Sequence, residues 1–182
     1  MKKFLKLSAI AGLLVSMSAC QKEYEAPKSP VVEMSGKWWV ELIFDADEDG
    51  KVSADDELLV SYHDFGAVGI ITSNIASNAP DTVLISDPEE SWPFKIKAPV
   101  NVSDLTFKPV TGLPNMDIEE ATVDVVSGKI LKGAAKTLSG AAADSIILSL
   151  KFSDAADYGF PEGAVFFYSG HRDSGQPEDQ HQ

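Results

Sequence analysis

The run Gly36-Lys37-Trp38-Trp39-Val40-Glu41-Leu42-Ile43-Phe44 is the most informative stretch of the sequence for the fold. Within it, apolar residues recur at every second position, namely Trp38, Val40, Leu42 and Phe44. This period places their side chains on one face of an extended chain. The run therefore predicts a β-strand with one buried face.

Further strand-like segments follow at intervals of roughly ten residues, rich in β-branched and aromatic side chains. Ser127-Gly128 reads as a hairpin turn between two of them, and Pro93 indicates an edge strand or a bulge. No stretch keeps a helical period, and the best candidate, 134–143, is interrupted by Gly140. The pattern predicts an all-β protein, either a sandwich or a barrel. The segments are 57–63, 67–73, 82–86, 92–98, 105–108, 118–126, 129–131, 145–152 and 164–170.

The Gly36-Lys37-Trp38 triplet at the start of the first strand favours the barrel. It resembles the Gly-x-Trp of lipocalins and their calycin relatives, in which the Trp fills the closed end of an eight-stranded barrel beneath a distant Arg. Arg172 follows the last predicted strand, and a guanidinium over an indole contributes about 0.5–2 kcal/mol. We predict a single lipocalin/calycin-like antiparallel β-barrel of about eight strands over 33–173, with Gly36, Trp38 and Arg172 structural. A sandwich with an ordinary buried Trp is the alternative.

A second resemblance runs along almost the whole chain after its N-terminal segment. The chain is similar to a family of small lipoproteins of gut-type bacteria, described as lipid-binding putative hydrolases and given a calycin-like barrel. The most specific segment is Ser169-Gly170-His171-Arg172-Asp173-Ser174-Gly175, although family members tend to have Arg-Thr where this chain has Asp173-Ser174. The resemblance implies the fold more strongly than the function. The other matching segments are 36–40, 92–97, 127–132 and 144–146.

The N-terminal segment has the organisation of a lipoprotein signal. Lys2, Lys3 and Lys6 precede an apolar run of roughly ten residues, too short for the ~20 that a transmembrane helix needs. Small residues come just before Cys20, the only cysteine of the sequence. We predict a signal peptide over 1–19, lipidation of Cys20 with acyl chains such as palmitate, and a flexible tether over 20–32. The alternative is an ordinary export signal with a chance cysteine.

Charge and the segment after Cys20 indicate where such a chain would lie. The net charge is −13, which disfavours nucleic acid and anionic membrane surfaces as partners, so the expected membrane contact is the lipid anchor. Residues 21–25 resemble the acidic signals that direct some gut-type lipoproteins to the outer face of the outer membrane. We therefore expect an outer-membrane lipoprotein of the cell envelope, exposed at the surface. The polar residues 174–182 are expected to form a disordered tail.

The loop after the first strand carries a calcium-binding pattern. Calcium takes oxygen ligands from positions 1, 3, 5, 7, 9 and 12 of a twelve-residue loop. Asp45, Asp47 and Asp49 occupy the first three of these positions, Lys51 offers its carbonyl at position 7, and Asp56 stands at position 12. We predict that this loop holds a structural Ca²⁺ ion. An acidic loop without a metal is the alternative.

No motif of the sequence points to catalysis. Neither a Gly-x-Ser-x-Gly elbow nor a His-Glu-x-x-His pair is present. The three histidines are His63, His171 and His181, and chance pairings of histidine with serine or aspartate are common. We predict no catalytic residue, and we expect His181 to be an inert part of the tail.

The aromatic residues on the predicted strands either fill the barrel or line a cavity for one small ligand. The function that we predict is a lipid-anchored envelope protein whose barrel binds a lipid or another apolar small molecule. One alternative is a surface glycan- or protein-binding accessory module of a nutrient-capture system, and another is a hydrolase. The predicted ligand-binding residues are Trp38, Trp92, Phe94, Phe107, Phe166 and Tyr168.

Overall fold

The computed structural model describes residues 28–65, 69–88 and 91–181. The predicted signal peptide, Cys20 and most of the predicted tether lie outside these residues. Within them, no helix is both long enough and apolar enough to cross a membrane. The strands are β1 (Gly36–Phe44), β2 (Glu57–Val60), β3 (Gly69–Asn74), β4 (Thr82–Ser86), β5 (Lys95–Asn101), β6 (Thr106–Phe107), β7 (Val110–Pro114), β8 (Thr122–Lys136), β9 (Ala142–Phe152) and β10 (Phe166–Arg172). The helices are η1 (Val32–Met34), α1 (Tyr62–Phe65), η2 (Ala155–Tyr158) and η3 (Pro177–Asp179), of which only α1 is an α-helix and the others are 3₁₀ turns.

The strands form one antiparallel sheet that closes on itself. Its order is β10-β9-β8-β6-β5-β4-β3-β1, and β1 also pairs with β10. β2 and β3 pair with different ends of β1, and β6 and β7 pair with different parts of β8. Each of these two pairs is therefore one interrupted strand. The result is a closed eight-stranded barrel, which confirms the predicted fold class over the sandwich.

Several segments differ locally from the predictions, and strand β7 (Val110–Pro114) lies where no strand was expected. The strand expected over 57–63 ends at Val60, and the chain turns into helix α1. The hairpin expected at Ser127-Gly128 is wrong, because β8 continues through it with a register shift between Val125 and Ser127. Gly128 is needed there for packing: a Cβ at this position would lie 2.9 Å from the Phe107 ring. A glycine that lets two strands approach closely thus looks the same in the sequence as a glycine that forms a turn.

The Gly36 end of the barrel is closed by Trp38 and Arg172. Trp38 is fully buried, and its Nε1 donates a hydrogen bond to Thr72 Oγ1 at 2.9 Å. The Arg172 guanidinium lies 4.2 Å above the indole, as the Gly-x-Trp resemblance implies. A Cβ at Gly36 would overlap this guanidinium, so the glycine is required for the stacking.

Arg172 also connects this end of the barrel to the segment before β1. Its Nη atoms donate to the carbonyls of Ser35 and Glu33, and its Nε donates to Asp144 at 3.2 Å. Burial acts to raise the pKa of Asp144, but hydrogen bonds from the Gly133 amide and from Lys132 outweigh it and lower that pKa. The arginine therefore combines cation–π stacking with charge-assisted hydrogen bonds.

The C-terminal segment 174–181 packs on the barrel, which differs from the disordered tail expected from its composition. Asp179 is 2 % exposed and accepts hydrogen bonds from the Ser139 amide at 2.8 Å and the Ser174 hydroxyl at 2.7 Å. These hydrogen bonds lower the pKa of Asp179 to about 2. Ser139 lies in the β8–β9 turn, 40 residues away, so local composition does not reveal this contact.

We expect Asp179→Ala to release this C-terminal segment. The substitution removes the acceptor of the Ser139 amide and of the Ser174 hydroxyl, so the side-chain hydrogen bond between the segment and the β8–β9 turn is lost. Limited proteolysis followed by mass spectrometry should show faster cleavage within 174–181, while the barrel stays intact. Glu178→Ala, at an exposed neighbouring position, is the matched control and should not change the cleavage rate. Equal cleavage of the two variants would contradict the role of Asp179.

Candidate functional site

The end of the barrel opposite Trp38 holds a group of aromatic side chains. Phe44 and Phe166, at the ends of β1 and β10, are register partners. The Trp92 ring stacks on Phe152 with 4.7 Å between centroids and lies 4.8 Å from Phe166. Rings in such contact contribute about 0.5–1.5 kcal/mol per pair beyond their burial. We call this group the mouth cluster; its members are Phe44, Trp92, Phe152, Tyr158, Phe160 and Phe166.

Two members of the mouth cluster come from the connection between β9 and β10. Tyr158 lies 4.9 Å from Trp92 and Phe160 lies 5.1 Å from Phe44, measured between ring centroids. Tyr158 is 59 % exposed, whereas Trp92 is 5 % exposed. Tyr158 thus offers an aromatic face to solvent next to the buried part of the cluster. Neither residue could be recognised from the sequence, because a loop has no periodic pattern to mark its inward positions.

Two adjoining clefts lie beside this connection. One, of about 260 Å³, is lined by Phe152, Ala155 and Thr122 among others, and the second, of about 300 Å³, by Phe44, Asp45 and Val165. They share Lys151, Glu162 and Gly163 in their walls. The mouth cluster therefore borders solvent-accessible space through Phe44 and Phe152.

Polar groups lie directly beside these aromatic rings. The buried Asp87 carboxylate accepts hydrogen bonds from the Trp92 amide at 2.9 Å and from the Ser91 hydroxyl. The Trp92 Nε1 donor is buried and has no hydrogen-bond partner among the residues that the structure describes. The pKa of Tyr168 is well above its usual value, mainly because the phenol is buried and secondly because of the Asp87 charge. A contact with Ser91 acts in the opposite direction but does not outweigh them. The site thus combines an unused donor, a protonated phenol and a negative charge.

The predicted ligand-binding residues fall into four places. Trp92 and Phe166 belong to the mouth cluster. Phe94 and Tyr168 lie one layer deeper, with 5.6 Å between their ring centroids, and Phe94 is 5.5 Å from Phe152. Trp38 lies at the closed end, and Phe107 packs beside Gly128. All six are at most 5 % exposed, so in this conformation they contribute to the packed core. Trp38 and Phe107 are apart from the mouth cluster.

The aspartates of the predicted calcium loop converge. Oxygen atoms of Asp45, Asp47 and Asp49 lie within 4.8 Å of one another. Gly50 has the left-handed φ of 75° that the turn requires, and its amide donates to Asp45 Oδ2 at 3.1 Å. Asp56, at the last position, accepts from the Ala46 and Ser53 amides at 3.2 and 2.7 Å. The loop is therefore folded around its carboxylates.

Asp45 is the buried member of this group. It is 3 % exposed, and its Oδ1 atom has no hydrogen-bond partner within the described part of the chain. Burial is the largest contribution to its raised pKa; the Gly50 amide opposes the rise, and the charges of Asp56, Asp47 and Asp49 add to it. A buried carboxylate oxygen with like charges around it is costly without a cation.

The histidines lie away from the mouth cluster. His171 Nδ1 contacts the Arg172 carbonyl at 3.2 Å, and His171 Nε2 contacts the His181 ring at 3.4 Å. A hydrolytic triad needs a histidine hydrogen-bonded to a nucleophile and to an orienting carboxylate. These contacts of His171 lend no support to the hydrolase alternative.

The sequence profile of one protein family matches residues 23–177, which include all ten strands; the family is described as "lipid-binding putative hydrolase". The chain belongs to this family. The match confirms the resemblance seen in the sequence. No curated protein matches the chain. The family and the barrel fold together support binding of a lipid or another apolar small molecule.

Proposed function

We propose that the protein binds one amphipathic lipid at the barrel mouth, with the apolar chain of the lipid against the mouth cluster. The observation that carries this proposal is the exposed Tyr158 ring beside the buried Trp92, whose Nε1 donor is unused. Ligand sites are typically apolar surfaces with a few convergent polar groups. Since the rings behind Trp92 are in contact, the lipid chain reaches deeper only if the 153–165 connection moves.

The charges around the mouth favour a neutral or cationic head group over a carboxylate. Asp87 is buried beside Trp92, and the neighbouring cleft is lined by the acidic Asp45, Glu48 and Glu162 and by one basic residue, Lys151, so acidic groups predominate. An anionic head group would be repelled by these charges, most strongly by the buried Asp87 and Asp45. A hydroxyl or ester oxygen would instead accept a hydrogen bond from Trp92 Nε1. We therefore expect a monoacylglycerol to bind more tightly than a fatty acid of the same chain length.

The test is a binding titration on a chain that begins at Gln21, since an acyl anchor and detergent would compete for the site. Monoacylglycerol below its micelle concentration should quench tryptophan fluorescence, and native mass spectrometry should show one bound molecule. Tyr158→Ala should weaken binding about fivefold, because an aromatic contact contributes roughly 1 kcal/mol. Leu138→Ala removes an equally exposed apolar side chain from the β8–β9 turn and should leave the affinity unchanged.

The outcomes separate the candidate functions. Equal loss in Tyr158→Ala and Leu138→Ala would show that binding is a general surface effect. Binding of an oligosaccharide without lipid binding would favour the glycan-binding module. Ester hydrolysis by the purified chain would favour the hydrolase.

We also propose that Ca²⁺ binds the loop from Asp45 to Asp56 and braces the mouth. Asp45 follows Phe44 directly, and its amide donates to the Val165 carbonyl at 3.0 Å, at the end of the β9–β10 connection. An ion held by Asp45, Asp47 and Asp49 would offset the repulsion among them and use the unpartnered Asp45 oxygen. This role is structural, and the ion would lie beside the lipid site.

The cellular setting that we propose is a lipoprotein anchored through Cys20 to the outer membrane. The support is the N-terminal sequence: a basic start, a short apolar run and a single cysteine after small residues. Labelled palmitate should enter the wild-type chain in a bacterial host, and Cys20→Ala should abolish the labelling. Labelling that persists in this variant would exclude Cys20 as the anchor.

A further inference from the structure

All three histidines of the sequence come together on the outside of the barrel. His171 is on β10, His63 is on α1, and His181 is in the C-terminal segment. His171 pairs in register with Trp39, which neighbours the inward-facing Trp38 and so lies on the outer face of β1. The His181 ring lies 5.5 Å from that of His171 and 5.6 Å from that of His63, measured between centroids.

The His171 and His181 rings have the spacing of two ligands on one metal ion. Their Nε2 atoms are 3.4 Å apart. Two nitrogens at about 2.0–2.1 Å from a tetrahedral zinc ion are about 3.4 Å from each other. This distance is long for a hydrogen bond between two ring nitrogens. The spacing of the two nitrogens therefore fits two ligands of one metal ion better than a hydrogen bond between the rings.

The tautomer of His171 suits metal binding through Nε2. Its Nδ1 lies 3.2 Å from the Arg172 carbonyl, and since a carbonyl oxygen only accepts, Nδ1 carries the proton. The lone pair is then on Nε2, which points to His181. A backbone carbonyl bonded to the far nitrogen is the usual way in which proteins orient a histidine ligand. His171 is also 6 % exposed, so its ring is held by packing.

Aromatic neighbours pack against the other two histidines. Tyr62 contacts all three imidazoles, at 4.2 Å from His63, 4.5 Å from His181 and 5.5 Å from His171. The Trp39 and His181 rings meet in a T-shaped arrangement with 5.1 Å between their centroids. His63 is exposed, so its side chain has room to turn towards the pair. The Nε2 atoms of His171 and His181 are thus in place for one ion, and His63 becomes a third ligand once its side chain turns towards them.

We propose that His63, His171 and His181 bind one divalent transition-metal ion, with zinc as the fitting example. Imidazole nitrogens suit zinc, copper and nickel, and three of them with one water complete a tetrahedron. The ion would fasten segment 174–181 to the barrel, because its ligands come from both. The site is distinct from the aspartate loop in its ligand chemistry.

The test uses the full chain in detergent. Calorimetric titration with zinc should show one site per chain, and cobalt, as a spectroscopic substitute, should give the visible absorption of a tetrahedral complex. His181→Gln and His63→Gln should each weaken zinc binding about tenfold or more, as loss of metal-site groups usually does. Both positions are at least partly exposed, so the barrel should remain folded.

Two controls separate this site from other acidic or metal-binding groups. Glu178→Gln, in the same segment, and Asp47→Ala, in the aspartate loop, should leave zinc affinity unchanged. Zinc should also slow proteolysis of 174–181 in the wild-type chain and have no such effect in His181→Gln. Zinc affinity that is unchanged in either histidine variant, or no stoichiometric zinc binding by the wild type, would overturn the proposal.

Discussion

Trp38→Ala is expected to lower the free energy of unfolding by about 3–5 kcal/mol, the range for removing a large buried aromatic side chain. The indole is fully buried, donates to Thr72 and lies beneath the Arg172 guanidinium. Its removal leaves a cavity, a Thr72 hydroxyl that has lost the hydrogen bond from the indole, and an arginine without its stacking partner. Urea unfolding followed by far-UV circular dichroism measures the change. The loss should approach or exceed a third of the stability of a typical domain.

Trp38→Phe is the matched control for this prediction. A phenyl ring keeps most of the volume but loses the bond from Nε1 to Thr72 Oγ1, which typically contributes about 0.5–1.5 kcal/mol. The phenylalanine variant should therefore be clearly more stable than the alanine variant. A loss below about 1 kcal/mol in Trp38→Ala would show that the closed end does not depend on this side chain.

Asp45→Asn is expected to change the stability of the protein in opposite directions with and without calcium. In a chelator, the variant should be at least as stable as the wild type, because it removes a buried charge surrounded by Asp47, Asp49 and Asp56. In calcium, the wild type should gain about 2.7 kcal/mol at a hundredfold excess over the dissociation constant, or roughly 5–10 °C in melting temperature. The variant should bind calcium about 100-fold more weakly and lose this gain.

Asp55→Asn is the control for the calcium prediction. Asp55 lies in the same loop, is exposed and does not occupy a coordinating position of the twelve-residue pattern. It removes the same formal charge, so a non-specific effect of net charge would appear in both variants. Thermal unfolding in calcium and in chelator would separate the two. A wild-type melting temperature that does not respond to calcium would refute the site.

The barrel was predictable from sequence because its determinants are local or carry a strong pattern. Period-two alternation in 36–44 follows from the geometry of a strand, and the Gly36-Lys37-Trp38 triplet identifies the closed end. The aspartate spacing in 45–56 likewise brings the carboxylates together within a single loop. Within the mouth cluster, only residues on or next to strands were found in this way, since Tyr158 and Phe160 follow no period.

Tertiary structure alone decided which distant residues became neighbours. Barrel closure pairs β1 with β10 and so brings Arg172 over Trp38 and His171 beside Trp39. The docking of the C-terminal segment then adds His181, which the sequence marked only as part of a polar tail. Sequence patterns report the face on which a side chain lies, because that depends on its own strand. They do not report its partners across the barrel, because these depend on how all the strands close together.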